Sequence, residues 1–385
     1  MQSFPYGRAV VALAALPALL LAGSYLLAAE TGRSDIDWTR AQQLFDRLQR
    51  GEALTPEERA YLDQAREARR QGSGANPLAV PEPRASTGLV PLDEMGADAR
   101  YKGEEGGLYG GGRNEPPDAH RRAALAELAK VVPLDAAGKP SPEGKVVLIS
   151  MGMSNTTQEF SRFKALADAD PAKSPKLVIV DGAQGGKDAA TWSDDAARPD
   201  TWRILEERLT RAGVTPLQVQ VAWVKHARIA PARYGEYPAH AQELKQHIAA
   251  SLAIARRRFP NLRVAYLSSR IYAGYARTPL NPEPYAYESA FAVRALILDQ
   301  IRGDAALNYD ASRGEVRAPL LLWGPYLWAD GVKPRKSDGL TWVREDLAAD
   351  GTHPSPTGGQ PKVARLLLQF FKTNPLARGW FLGKE

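Results

Sequence analysis

The 385 residues carry 50 Lys and Arg against 44 Asp and Glu, a formal charge of +6, and 44% of them are hydrophobic. That content is enough for a sizeable core and excludes a disordered chain. The arginine clusters Arg69–Arg70, Arg121–Arg122 and Arg256–Arg258 fall inside helical patterns, so they read as solvated faces and not as a nucleic-acid arm. There is no cysteine, which excludes disulfides, thiolate nucleophiles and cysteine metal sites.

In residues 1–30, Arg8 precedes an uncharged apolar run from Ala9 to Ala29 that ends in small residues. The pattern is that of a signal peptide or an N-terminal membrane anchor through residues 9–29. It predicts a protein that is exported: periplasmic, extracellular or anchored on the outer side of the cytoplasmic membrane. Residues 31–142 read as an extension. Its helical pair, at 35–71, has Trp38, Leu44, Phe45 and Leu48 on one stripe of the first helix. The second helix opens with Thr55 as N-cap, Pro56 at the first position and Glu58 closing a capping box. A Pro/Gly/Ala-rich linker follows at 72–99. The glycine-dense stretch 101–120 has no Gly-Lys-Ser/Thr after it, so it reads as a conformationally demanding loop and not as a phosphate cradle.

From 143 to 378 the pattern changes. "GKVVLISMG", "PKLVIVDG", "PLQVQVAWV", "LRVAYLSS" and "APLLLWG" are short apolar runs separated by helical patterns such as "HAQELKQHIAASLAIARRRF". Strands buried on both faces and alternating with helices predict a three-layer α/β/α domain with a five-stranded parallel sheet.

Sites in such sheets lie beyond the carboxyl ends of the strands. The first run is followed by Ser154, the second by the glycine loop "DGAQGGKDAATW", and the last helix is preceded by Asp350-Gly-Thr-His353. A serine hydroxyl needs a base to become a nucleophile, histidine titrates near neutrality, and a carboxylate fixes the histidine tautomer. The glycine loop offers backbone N–H groups for an oxyanion. Ser154 alone also fits a helix N-cap, and Asp350-x-x-His353 alone also fits capping. All three in this order, each at a strand end, point to a catalytic relay.

Gly152-Met153-Ser154, the glycine loop and Asp350-Gly-Thr-His353-Pro354 together resemble the SGNH/GDSL hydrolase superfamily over residues 143 to 375. The resemblance implies Ser154 as nucleophile, His353 as general base and then acid, and Asp350 orienting it. The Ser154 N–H and a glycine N–H would form the oxyanion hole, Gly186 being the best-placed glycine and Gly182 the alternative. Where the family carries an asparagine after the third strand, this chain reads "WVKHAR", which leaves Lys225 as a third donor or the hole impaired. His226 is an alternative base there, or simply a core or surface histidine. Met153 stands where the family usually has aspartate.

Arg270, Tyr272, Tyr275, Trp323, Tyr326 and Trp328 follow the fourth and fifth runs. Arg270, Tyr272, Trp323 and Tyr326 are candidate contacts to a sugar-containing substrate, or else fill the layer between sheet and loops. No metal-ligand spacing stands out; His240 and His247 are two helical turns apart. The expectation is a serine esterase without cofactor or metal, acting on an acylated small molecule or an O-acylated polysaccharide. The alternatives are a non-catalytic carbohydrate-binding or cell-envelope protein of the same fold, or an acyltransferase using the same residues.

Overall fold

The computed structural model describes residues 36–383 except 38–39, 42, 45–46, 48–52 and 72–81. The apolar segment 9–29, read as signal or anchor, lies outside the described residues, as do Trp38, Phe45 and Leu48 of the first amphipathic stripe. Among the described residues, no helix is long and apolar enough to cross a membrane. The chain divides into two compact units, Met1–Asn76 and Pro77–Glu385.

In the first unit, helix α1 (Pro56–Gln71) begins with the expected reciprocal cap. The Thr55 N–H donates to Glu58 Oε2 at 3.0 Å and the Glu58 N–H to Thr55 Oγ1 at 3.2 Å. Ala41 and Leu44 are buried before it, as are Leu62 and Ala65 within it. Arg47 reaches Glu58 at 2.6 Å, tying the two helical stretches together.

The second unit is built on five parallel strands: β3 (Val146–Gly152), β4 (Leu177–Val180), β5 (Val219–Lys225), β6 (Val264–Leu267) and β7 (Leu320–Trp323). Their order across the sheet is β4-β3-β5-β6-β7. Every residue of β3, β5, β6 and β7 is buried, as their largely apolar runs require. The connections are helical: α3 (Ser154–Asp168), the single turn α4 (Ala189–Trp192), α5 (Pro199–Arg211), α6 (Ala239–Arg258) and α7 (Tyr285–Arg302). The last strand leads to α8 (Gly359–Thr373) and α9 (Arg378–Leu382). Helix α3 packs on α8, and α6 packs on α4 and α7. Right-handed crossovers place these two groups on opposite faces of the sheet, which makes the three layers. From β3 the chain steps outward to β4 and then returns to β5 on the other side. The order therefore reverses at the adjacent ends of β3 and β5, where a parallel sheet opens a crevice.

Residues 82–142, expected as an extension ahead of a domain at 143–378, belong to the same compact unit as the sheet. They contain the two-residue hairpin β1 (Arg100–Tyr101) and β2 (Glu104–Glu105), turned by Lys102 (φ 49°) and Gly103 (φ 91°), and helix α2 (Asp118–Leu128). His120 of α2 hydrogen-bonds the Leu321 carbonyl of β7 at 2.8 Å. The stretch is also fastened at Asp330, whose carboxylate accepts from Ser86 Oγ and the Thr87 N–H, both at 2.6 Å, and from the Gly88 N–H at 3.0 Å. Burial alone would raise the Asp330 carboxyl, but these donors bring it below the usual range. Residues 378–382, at the edge of the expected boundary, are also part of the fold: Trp380 and Phe381 pack against Phe371 at 5.3 and 5.8 Å.

Under α3 lies a fully buried ion pair. Lys225, the last residue of β5, meets Glu159 Oε1 at 2.6 Å, and neither side chain is exposed. Burial lowers the Lys225 ammonium to about 8 and raises the Glu159 carboxyl, while their mutual attraction opposes both shifts.

Two outcomes follow from these contacts. Lys225→Met, leaving a buried unpaired carboxylate, lowers unfolding free energy by about 3–5 kcal/mol, and adding Glu159→Gln recovers at least half of that loss. Urea titration checks it, and strictly additive losses would mean that the two groups are not coupled. Asp330→Ala costs about 2 kcal/mol. It also speeds amide hydrogen exchange at Thr87 and Gly88 selectively, whereas unchanged exchange there would show that Asp330 does not hold this stretch.

Candidate active site

Ser154 sits at the crevice because β3 runs straight into α3. Gly152 makes that junction: a side chain there would put Cβ 2.3 Å from the Lys225 carbonyl oxygen and 2.4 Å from Thr156 Oγ1, so only glycine lets β3 close on β5. The helix N-cap is Met153, in extended conformation and without a side-chain acceptor, so Ser154 is the first helical residue and not the cap. The first N–H groups of α3 are left uncapped at the positive end of the helix. The Ser154 hydroxyl bonds across the chain to His353 Nε2 at 2.7 Å.

His353 is presented by a tight turn. Gly351 adopts φ +66°, and a Cβ there would stand 1.8 Å from the Tyr275 carbonyl oxygen. Asp350 Oδ1 accepts the N–H groups of Thr352 (3.0 Å) and His353 (3.1 Å), and its Oδ2 lies 2.5 Å from His353 Nδ1. Burial pushes the Asp350 carboxyl up. The hydrogen bond from His353 and the two backbone donors outweigh that push and hold it at about 2. The anionic partner places the proton on Nδ1 and leaves Nε2 free to accept from Ser154. The side chains of His353 and Asp350 are 23% and 29% exposed, so the relay faces the crevice without being sealed from it.

The glycine loop after β4 reaches the same point. The Gln184 N–H donates to the Gly152 carbonyl at 3.0 Å. Gly185 then comes against the nucleophile: a Cβ on it would lie 4.0 Å from Ser154 Cβ. Gly186, favoured from the sequence, is its exposed neighbour at φ +74°. Gly182, the alternative, is buried, and a Cβ there would lie 2.5 Å from both the Ser150 carbonyl oxygen and a Leu205 methyl; it is a packing glycine and does not face the crevice. The loop is anchored beyond the glycines by Asp188, which caps α4 and pairs with Arg228 at 2.5 Å.

Several candidate residues are placed elsewhere. Lys225 is not an oxyanion donor, because its ammonium is buried behind the nucleophile helix and bonded to Glu159. His226 is buried beside Trp192 (5.9 Å), burial depresses it to about 3, and neither ring nitrogen has a hydrogen-bond partner; it is a neutral core histidine and not a second base. Arg270, Tyr272, Trp323 and Tyr326 are at most 5% exposed and do not line an open cleft. Residues 84–108 cover the three aromatics. Tyr272 Oη donates to the Arg84 carbonyl (2.7 Å), the Trp323 indole to the Leu108 carbonyl (2.7 Å), and Tyr326 Oη accepts the Leu92 N–H (3.1 Å). Tyr275 and Trp328 are buried as well. Among the described residues, no cluster of three or more His, Asp or Glu is arranged to hold a metal ion.

Of the residues that hold the Asp350–His353 turn and the start of α3, sequence reasoning missed Asn155 and Asp181 and gave Arg270 a different role, as a substrate contact. Asn155 Nδ2 donates to the Thr352 carbonyl at 2.9 Å and Arg270 Nη2 to the same carbonyl at 3.2 Å. Asp181 takes hydroxyls from Ser150 (2.6 Å) and Thr157 (2.5 Å), locking the end of β3 to α3. The one readable signal was the position of Asn155 and Thr157 in the first turn after the serine.

No family model matches the chain, and no curated protein does. Solved structures similar to it include the lipase Lip_vut3 from goat rumen metagenome, at 13% identity and a TM-score of 0.33, covering 58% of this chain and 96% of that one. An acylhydrolase structure from Bacteroides fragilis is similar at 14% identity and a TM-score of 0.32, over 66% and 96% of the two chains. The salicylyl-acyltransferase SsfX3 from a tetracycline biosynthetic pathway is similar at 15% identity and a TM-score of 0.31, over 62% and 58%. These likenesses are too distant to bear on the chemistry, which rests on the geometry of the crevice.

Proposed function

We propose that this chain is an SGNH-type serine esterase working through an acyl-enzyme. The observation that carries the reading is the continuous chain Ser154 Oγ–His353 Nε2 (2.7 Å) and His353 Nδ1–Asp350 Oδ2 (2.5 Å) at the switch point of a parallel sheet. Ser154 Oγ attacks the ester carbonyl while its proton passes to His353 Nε2, and Asp350 stabilises the imidazolium. The oxyanion meets the uncapped Ser154 N–H and an N–H of the Gly185–Gly186 loop. Collapse expels the alcohol, protonated by His353; water then attacks the acyl-Ser154, giving its proton to His353, which passes it to Ser154 Oγ as the bond from Oγ to the acyl carbon breaks and the carboxylic acid leaves.

The substrate we infer is an acylated small molecule or an O-acylated glycan outside the cytoplasmic membrane. The support is the apolar run at 9–29 behind Arg8, together with the family resemblance. Tyr272, Trp323 and Tyr326 lend it none, because they are buried. Transfer of the acyl group to a sugar instead of water uses the same residues, and an assay with and without a sugar acceptor separates the two.

Treatment of the full chain, kept in mild detergent, with a fluorophosphonate probe gives one adduct, mapped to Ser154 and absent in Ser154→Ala and His353→Ala. A folded wild-type protein that takes no label refutes the reading and turns attention to glycan binding. On an ester substrate, Asp350→Asn keeps the hydrogen-bonding shape but permits the wrong tautomer, and kcat falls by roughly 10³–10⁴. The depressed Asp350 carboxyl also sets an acid limit. Its stabilising contribution is fully present above the ordinary value of 3.8 and is lost as pH falls through about 2. Thermal unfolding recorded between pH 5 and 2 therefore loses part of its pH dependence in Asp350→Asn; an identical dependence in both proteins would remove Asp350 from this role.

A further inference from the structure

We propose that Asn155 and Arg270 are positioning residues, which keep His353 in line with Ser154 by jointly gripping the Thr352 carbonyl. The inference rests on the relay reading above. Thr352 lies inside the Asp350–His353 turn, immediately before the histidine, so the orientation of its peptide fixes where the imidazole starts. A carbonyl oxygen has two lone pairs, and here each receives a side-chain donor: Asn155 Nδ2 at 2.9 Å and Arg270 Nη2 at 3.2 Å. Both donors are at most 1% exposed. Asn155 is the residue after Ser154, so one helical step carries both the nucleophile and the clamp on the loop that bears its base. The separation of Ser154 and His353 is thereby set by a contact on the far side of the relay from the crevice.

Arg270 can hold its post because its charge is answered. Glu159, four residues after Asn155 on α3, is the buried carboxylate that supports its charge most, and Glu283 and Asp350 add to it. Lys225 in turn bonds to Glu159. The Arg270 backbone is pinned too, its N–H donating to Ser289 Oγ at 3.1 Å. A guanidinium suits this work because it stays charged and offers a rigid planar fork. Neither Asn155 nor Arg270 touches the reacting atoms, so each acts through His353.

The test is the saturation kinetics of fluorophosphonate labelling on the full chain, wild type against Asn155→Ala and Arg270→Lys. Rates are normalised to the folded fraction, which is measured by thermal unfolding. The maximal labelling rate falls on the order of 10–100-fold in Asn155→Ala while the half-saturating probe concentration stays put, as expected when the reacting groups are displaced without change to the surrounding surface. Arg270→Lys keeps the charge beside Glu159 and restores part of the rate lost in Arg270→Gln. A purely structural role would lower the folded fraction and leave the rate per folded molecule unchanged. Wild-type maximal rates in folded Asn155→Ala or Arg270→Gln overturn the proposal, and so does failure of both variants to fold, which assigns the residues to the fold alone. Wild-type protein unlabelled at Ser154 overturns the relay reading itself, and this inference with it.

Discussion

At the crevice, the carboxyl ends of β3 and β5 are in van der Waals contact, and the contact exists because residue 152 has no side chain. The Lys225 carbonyl occupies the space a Cβ would need, and Thr156 Oγ1 donates to that same carbonyl at 2.7 Å. The junction therefore joins the two central strands and starts the nucleophile helix in one step. Gln184 reads the other side of it, donating to the Gly152 carbonyl and so bringing the glycine loop to Ser154. The Trp192 indole donates to the same carbonyl at 3.0 Å. Any larger residue at 152 would displace Ser154, the glycine loop and the partner strand together.

The site is also expensive in buried charge. Glu159, Lys225, Arg270, Asp188 and Arg228 lie buried beneath or beside it, and burial pushes the Glu159 carboxyl up and the Lys225 ammonium down. Hydrophobic residues of similar volume would give equal or greater stability. What the charges supply is direction: the guanidinium of Arg270 and the carboxylate of Asp188 each fix a loop by donors or acceptors of set geometry, which an apolar contact does not do. The network around the relay is thus a device for placing two loops, one bearing His353 and one bearing the glycines.

The sheet, and the meeting of Ser154 with His353, were legible in the sequence for physical reasons. Strands buried on both faces write themselves as apolar runs, and a parallel sheet puts chemistry at known ends, so Ser154 and His353 could be placed before any coordinates. Lys225 was misread because a strand with no exposed face has no alternation to show which way a side chain turns. Its partner, Glu159, is on a helix 66 residues away in sequence. The glycine that abuts Ser154 is Gly185, the neighbour of Gly186, a detail the sequence does not show because loop register beyond a strand has no period to read. Asn155 looked like an ordinary first-turn residue; its acceptor lies 197 positions further on.

The aromatic misreading has a different origin, and it concerns where the domain begins. Trp323 ends β7 and Tyr326 and Tyr272 follow strand ends, which is where ligands sit, but residues 84–108 occupy that rim first and take their polar atoms as hydrogen-bond partners. Glycine density at 106–112 serves this purpose. Gly106 passes so close to Met95 that a Cβ would lie 1.9 Å from its carbonyl oxygen, and Gly107, Gly110, Gly111 and Gly112 take positive φ that turns the chain back over the sheet domain. A segment with little periodicity of its own is therefore as much a part of the core as the strands. A chain beginning at 143 would uncover three large aromatic side chains and orphan their polar atoms, which is the physical argument for counting residues 82–142 as part of the domain that carries the relay.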